Sequence, residues 1–169
     1  AIVGCGGHAR GTLAPLWKDI PEIEPVAACE ANAESLASFA EALGINHTYS
    51  DLETMLVEQQ PDILIVATWP ASHRENVLQA VHGGVRGIFC EKPIALNAGE
   101  AKEMVDAARA ANVVFMEGFM HLYHAQLQEL KRIIAEGAIG DVRFIRASFS
   151  TGTGNRTNWR RRGELGGGA

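Results

Sequence analysis

Cysteine is scarce in this chain. Cys5, Cys29 and Cys90 are the only three among 169 residues, and no two are spaced as CxxC or in another metal-ligating pattern. Their odd number offers no disulfide framework. It predicts a reducing, cytoplasmic setting in which each thiol serves as a small buried hydrophobe. Long apolar runs are also missing. None approaches the ~20 residues of a membrane helix, so no membrane association is expected. The opening residues carry no basic-plus-apolar leader pattern. Basic residues are few over most of the length: residues 1–130 hold 7 Lys and Arg against 17 Asp and Glu. That balance argues against nucleic acid as a general partner. It reverses over residues 131–169, with 8 basic against 3 acidic. There Arg156, Arg160, Arg161 and Arg162 either face phosphates or a carboxylate substrate, or form a solvated loop. The remaining composition, 47% hydrophobic and 21% charged, is that of an ordinary globular chain with room for one domain and little more.

Glycine, by contrast, is placed where it carries meaning. An apolar run at residues 1–3 leads into Gly4, Cys5, Gly6, Gly7, His8 and Ala9, and then into a helical stretch. An acid, Glu30, closes the next apolar run. This is the arrangement of a dinucleotide-binding βαβ unit. Gly4 permits the sharp strand-to-helix turn, and Gly6 lets a pyrophosphate approach the backbone. Ala9 lets the helix pack close to the strand, and the amides at the helix start face the phosphates. The Glu30 carboxylate can accept hydrogen bonds from the adenosine ribose hydroxyls. Its charge repels a 2′-phosphate, so NAD is the expected cofactor, with NADP as the alternative.

Apolar strands alternate with helical stretches along the chain. This predicts an α/β fold of Rossmann type, a doubly wound parallel sheet with helices on both faces. Strands are expected over residues 1–3, 26–29, 47–49, 63–67, 87–90 and 113–116. Helices are expected over residues 8–18, 33–43, 51–58, 72–81, 98–111 and 124–136. Asp51 reads as an N-cap and Gly44 as a C-terminal stop. Trp17, Phe39 and Met55 read as core. The pattern breaks near Gly137–Gly140, and residues 141–150 alternate as a strand of a different kind. The expected division is a dinucleotide-binding domain over 1–122 and the start of an incomplete α+β second domain over 123–169. One strand and a loop cannot bury a core. Gly166–Gly168 read as a tight turn.

The fifth strand ends in Cys90, Glu91, Lys92 and Pro93. In an open parallel sheet ligands sit beyond the carboxyl ends of the strands, so Glu91 and Lys92 share a rim with the glycine turn. A lysine there can pass a proton to or from a hydroxyl while hydride moves at the adjoining carbon. The plainer alternative is a surface Glu-Lys pair. Pro93 is a candidate for a cis peptide. His121 and His124 have helical spacing but lack a third ligand, so no metal is expected. His8 either touches the cofactor or is simply a loop residue.

Four segments in order carry a resemblance: the glycine turn, Val66–His73, Cys90–Leu96 and Glu117–His124. Together they make the chain similar to the glucose–fructose oxidoreductase / inositol 2-dehydrogenase family over essentially its whole length, nearest its sugar and dihydrodiol dehydrogenase branch. The resemblance implies an NAD(P)-dependent oxidoreductase that moves hydride between nicotinamide and a secondary alcohol of a sugar, polyol or cyclic diol. It implies that Gly4, Gly6 and Ala9 wrap the pyrophosphate, with Gly7 and His8 of the same turn as further cofactor-binding candidates. Thr68, Pro70 and His73 would line the cofactor, Glu91 would lie near the nicotinamide ribose, and Lys92 would act at the substrate hydroxyl. Trp159 and Arg160 would stand near the nicotinamide or substrate. Trp69 departs from the small or polar residue usual before Pro70, and Ala125 stands where relatives often have Pro. The family continues past its glycine turn with a helix bearing an Asp and, four residues on, a His or Tyr. This chain stops at Ala169 and lacks an initiator Met, so it is expected to be a piece of a longer, homo-oligomeric enzyme. Two alternatives from the same family are an NAD-dependent glycosidase and a non-catalytic nucleotide-binding sensor.

Overall fold

The computed structural model describes residues 1–17, 19–148 and 159–167. Short apolar runs bounded by turn-forming residues set six strands: β1 (Ile2–Val3), β2 (Ala27–Cys29), β3 (His47–Tyr49), β4 (Ile63–Val66), β5 (Gly87–Cys90) and β6 (Val114–Glu117). They form one parallel sheet in the order β3-β2-β1-β4-β5-β6. The winding reverses between β1 and β4, which is the point where doubly wound sheets bind ligands. Val3 pairs with Cys29 on one side and with Val66 on the other, and Val66 pairs in turn with Cys90. Four strands therefore end level, and the loops that leave them share one rim.

The helices are α1 (Ala14–Trp17), α2 (Ala33–Leu43), α3 (Leu52–Gln59), α4 (Pro70–His82), α5 (Ala98–Ala110) and α6 (Ala125–Ala135). Side-chain caps fix several starts: Asn32 accepts from the Ser35 amide at 2.8 Å, Asp51 from Thr54 at 2.7 Å and Asn97 from Glu100 at 3.0 Å. Gly44, at φ +67°, ends α2 as expected. α4 starts at Pro70, earlier than residue 72, because a proline at the first helical position loses no needed hydrogen bond. The first helix differs more. Its opening turn, Ala9–Leu13, is π-helical, and only Ala14–Trp17 is α-helical. Gly11 lies inside that turn, where a residue without Cβ gives the regular helix little support. Lys18 lies outside the described residues.

Adjacent strand residues point to opposite faces, and both faces carry a core. On one, Val3, Cys29, Leu64, Val66, Ile88 and Cys90 pack with Met55 of α3, Val77 of α4 and Met104 of α5. On the other, Ile2 and Ala28 pack with Ala9, Ala14 and Phe39. Trp17 meets Phe39 edge-on, with ring centroids 6.3 Å apart. Helices therefore cover both faces, although Ile63, Val114 and Met116 on the β4–β6 half of the second face remain exposed.

Residues 141–148, expected as a strand, carry no sheet pairing among the described residues, and Phe144 and Ile145 are 75% and 80% exposed. A strand is made by the hydrogen bonds of a neighbour, and none of the described residues pairs with this segment. Residues 149–158 of the expected strand and loop lie outside the described residues. No helix among the described residues is long and apolar enough to cross a membrane.

Candidate functional site

The glycine turn is built by two different demands. Gly4 has φ +94°, and a Cβ there would lie 2.6 Å from the Ala67 carbonyl carbon and 2.7 Å from the Thr68 nitrogen. Its amide donates to the Cys29 carbonyl at 2.9 Å. Gly4 is thus wedged between the ends of β2 and β4, where only glycine fits. Gly6 and Gly7 differ, since a Cβ on either would meet nothing within 4 Å. The fold leaves that space open at the start of the first helix. Side-chain-free positions there leave room for the close approach of a ligand such as a pyrophosphate.

Glu30 follows β2 on the same rim. One of its carboxylate oxygens accepts from the Cys5 amide and the other from the Asn32 amide, each at 3.0 Å. The carboxylate is therefore fixed against the glycine turn. Each oxygen keeps a further lone pair for a ribose hydroxyl. Burial pushes the Cys5 thiol up to about 12, and the nearby Glu30 charge adds to the effect. Cys5 is consequently a neutral wall of this site and not a nucleophile.

From β5, Glu91 is almost buried. One of its oxygens lies 3.0 Å from His8 Nε2, and the other accepts from the Lys92 amide at 3.2 Å. This contact spans the rim from the glycine turn to the β5 loop, across β4. It gives His8 a definite partner, which the sequence left undecided between a cofactor contact and a loop residue. Lys92 is half-buried in the same loop. The Lys92–Pro93 peptide is cis, and the Ile94 amide donates to Glu117 at the end of β6, at 3.0 Å. Gly118 follows, and a Cβ there would lie 2.8 Å from the Phe89 ring and 3.1 Å from a Glu91 oxygen.

From β4, Thr68 and Pro70 form the rim between these two groups. The Thr68 hydroxyl accepts from Asn76 at 3.0 Å. His73 is not a lining residue, contrary to its expected place. It is fully buried, with Nδ1 3.0 Å from the Pro93 carbonyl and Nε2 3.1 Å from the Thr68 carbonyl. A ring enclosed between two loops presents no surface to a cofactor. Trp69 is 47% exposed beside Pro70.

The far segment returns to this rim. Short 3₁₀ turns run over Trp159–Arg161 and Gly163–Leu165 and end at Gly166, at φ +87°. A Cβ on Gly166 would lie 2.6 Å from Pro70 Cβ and 2.7 Å from Leu96. The glycine turn expected over residues 166–168 is present through Gly167, whose amide donates to the Arg162 carbonyl at 3.0 Å. Gly168 is outside the described residues. Trp159 and Arg160 are thus joined to a turn that packs on the rim. Among the described residues no group of three His, Cys, Asp or Glu side chains is placed to hold a metal. A cleft of 410 Å³ lies at the opposite, amino end of the strands, lined in part by Trp17, Pro25, Gln60, Pro61 and Asp62, away from these groups.

Comparison with known proteins agrees with this geometry. Residues 1–119 match the family described as oxidoreductase family, NAD-binding Rossmann fold, and residues 127–169 match the GFO/IDH/MocA C-terminal domain. The chain is 38% identical over 149 residues to D-apiose dehydrogenase of Paraburkholderia graminis, which covers 88% of this chain and 39% of that protein. It is 33% identical over 126 residues to trans-1,2-dihydrobenzene-1,2-diol dehydrogenase of Xenopus laevis, covering 75% of this chain and 38% of that protein. A crystal structure of a mutant 3-ketoreductase from Actinomadura kijaniata, in complex with TDP-benzene and NADP, superposes with a TM-score of 0.88 at 25% identity, covering 99% of this chain and 51% of that one. The chain spans about two fifths of the length of the curated relatives it matches. With its glycine turn, acid-closed second strand and Glu-Lys-Pro rim, this chain belongs to the GFO/IDH/MocA family of NAD-binding oxidoreductases.

Proposed function

We propose that the whole protein is a dehydrogenase that moves hydride between a nicotinamide cofactor and a secondary alcohol of a sugar, polyol or cyclic diol. This chain would supply its cofactor site and one proton-transfer group. The observation that carries the reading is the common rim. The open glycine turn, the fixed Glu30 carboxylate and the Glu91–Lys92 loop all leave strand ends that are level in the sheet.

Gly6 and Gly7 admit the pyrophosphate, with Gly4 and Ala9 holding the turn in place beside β4. Glu30 receives the adenosine ribose hydroxyls and disfavours a 2′-phosphate, so NAD is preferred over NADP. Thr68 and Pro70 bound the middle of the cofactor, and Glu91 stands at the nicotinamide ribose. The bound nicotinamide supplies the hydride acceptor or donor. Lys92 moves the hydroxyl proton, taking it during oxidation and returning it during reduction. Trp159 and Arg160 belong to the segment whose Gly166 packs on Pro70, and their proposed place is near the nicotinamide or substrate. The boundary between the cofactor domain and the start of the second domain is placed between residues 122 and 123, consistent with the two family matches. The relatives named for apiose and dihydrobenzenediol support a vicinal diol or sugar as substrate.

The test uses the full-length protein that contains this chain, with pentoses, polyols and cyclic diols as substrates. Lys92→Met is expected to lower turnover by at least about a hundredfold. NADH affinity should stay within about threefold, because Lys92 acts on the substrate. Unchanged turnover would contradict the role of Lys92. Binding of NADH with no turnover of any such substrate would point to the sensor.

A further inference from the structure

His73 lies on α4, behind the rim, and the cofactor site makes no use of it as a surface. It is fully buried, yet both ring nitrogens meet carbonyl oxygens: Thr68 at 3.1 Å in the β4 loop and Pro93 at 3.0 Å in the β5 loop. Neither carbonyl has a hydrogen to give, so the ring is the donor to whichever oxygen its N–H faces; a neutral imidazole carries one N–H and only the doubly protonated ring carries two. Leaving the oxygen it serves without that donor in this dry interior is costly.

The Pro93 carbonyl belongs to the residue after Lys92. The surrounding peptides are tied elsewhere: the Glu91 amide donates to the Val66 carbonyl at 2.9 Å, and the Ile94 amide to Glu117 at 3.0 Å. The first contact holds the loop to β4 and the second to β6. His73, packed between the Pro93 and Thr68 carbonyls, supplies the tie to α4.

We infer that His73 is a positioning residue for Lys92, set between the Thr68 and Pro93 carbonyls and donating its ring N–H to one of them, so that the two loops receiving the nicotinamide end keep a fixed separation. The inference rests on the reading of Lys92 and this rim given above. It assigns His73 a role by donation and not by volume.

Two variants separate donation from packing. His73→Leu fills a similar volume without a donor, and His73→Gln restores an amide donor. Amide hydrogen exchange is measured in the ligand-free chain. Affinities for NADH and for ADP-ribose, which lacks the nicotinamide, are measured by titration. His73→Leu should speed exchange at Lys92 and Ile94 and leave Cys5 unchanged. It should lower the preference for NADH over ADP-ribose by about tenfold, with ADP-ribose affinity held within about twofold. His73→Gln should recover most of both effects. Unchanged exchange in His73→Leu would overturn the bridge, as would an equal loss of both ligands or a failure of Gln to rescue. If the unaltered chain binds NADH no more tightly than ADP-ribose, the nicotinamide site proposed above fails. The exchange data still decide the bridge.

Discussion

His8 Nε2 and Glu91 Oε1 are 3.0 Å apart, joining the glycine turn after β1 to the loop after β5. Glu91 is the more enclosed partner, with a side chain 11% exposed against 43% for His8. A contact so placed ties the two loops at one spacing, and under the proposed function these loops hold the two ends of the dinucleotide. In a double-mutant cycle of His8→Ala and Glu91→Gln, urea unfolding should give a coupling of about 0.5–1 kcal/mol. A coupling indistinguishable from zero would show that the pair does not hold the rim together.

The glycines of the turn should separate stability from binding. Gly4→Ala forces a Cβ to 2.6 Å from backbone at φ +94°, so it should cost about 3 kcal/mol or more in thermal or urea unfolding. Gly6→Ala meets only open space, so its unfolding free energy should stay within about 0.5 kcal/mol. Its NADH affinity should fall clearly in a fluorescence titration. The opposite pattern, with Gly6→Ala unstable and binding intact, would reverse the assignment of the two positions.

The cysteines predict a behaviour with alkali. Burial pushes Cys5 and Cys90 up to about 12 and Cys29 up to about 11, from an ordinary 9.0. The folded state holds these protons more tightly than the unfolded state. The stability they contribute is therefore complete below pH 9.0 and is lost as pH rises toward 11 and 12. The melting temperature should fall steadily as pH rises above about 9, and less steeply in a Cys90→Ala variant. A disulfide reagent should leave all 3 thiols unmodified in the native chain and modify all 3 in denaturant. Rapid modification of any native thiol would contradict the burial.

Local signals made much of this legible. The Asp51 cap and the Gly44 stop are read from a few neighbouring residues, because each satisfies backbone groups within one turn, and the glycine turn and Glu30 are read from their order along one βαβ unit. The cysteines followed from their places at strand ends. Other features depend on segments far apart in sequence. The bridge of His73 needs the β5 loop to fold against α4, and the pairing of His8 with Glu91 needs β4 to lie between their strands. Periodicity reports which face a residue occupies and not which loop meets it. Residues 141–148 show the same limit, since alternation marks a capacity for strand and the ladder itself comes from a partner. The π-helical turn at Ala9–Leu13 had only Gly11 as a cue.

The central claim is that this rim binds a nicotinamide dinucleotide through an open glycine turn and an acid that selects against a 2′-phosphate. Isothermal titration of the chain with NADH and with NADPH tests it most directly, together with Glu30→Gln. The account predicts saturable binding of NADH, at least about tenfold tighter than NADPH, with Glu30→Gln narrowing that gap. No saturable binding of either dinucleotide would contradict the site, and tighter binding of NADPH would contradict the role of Glu30.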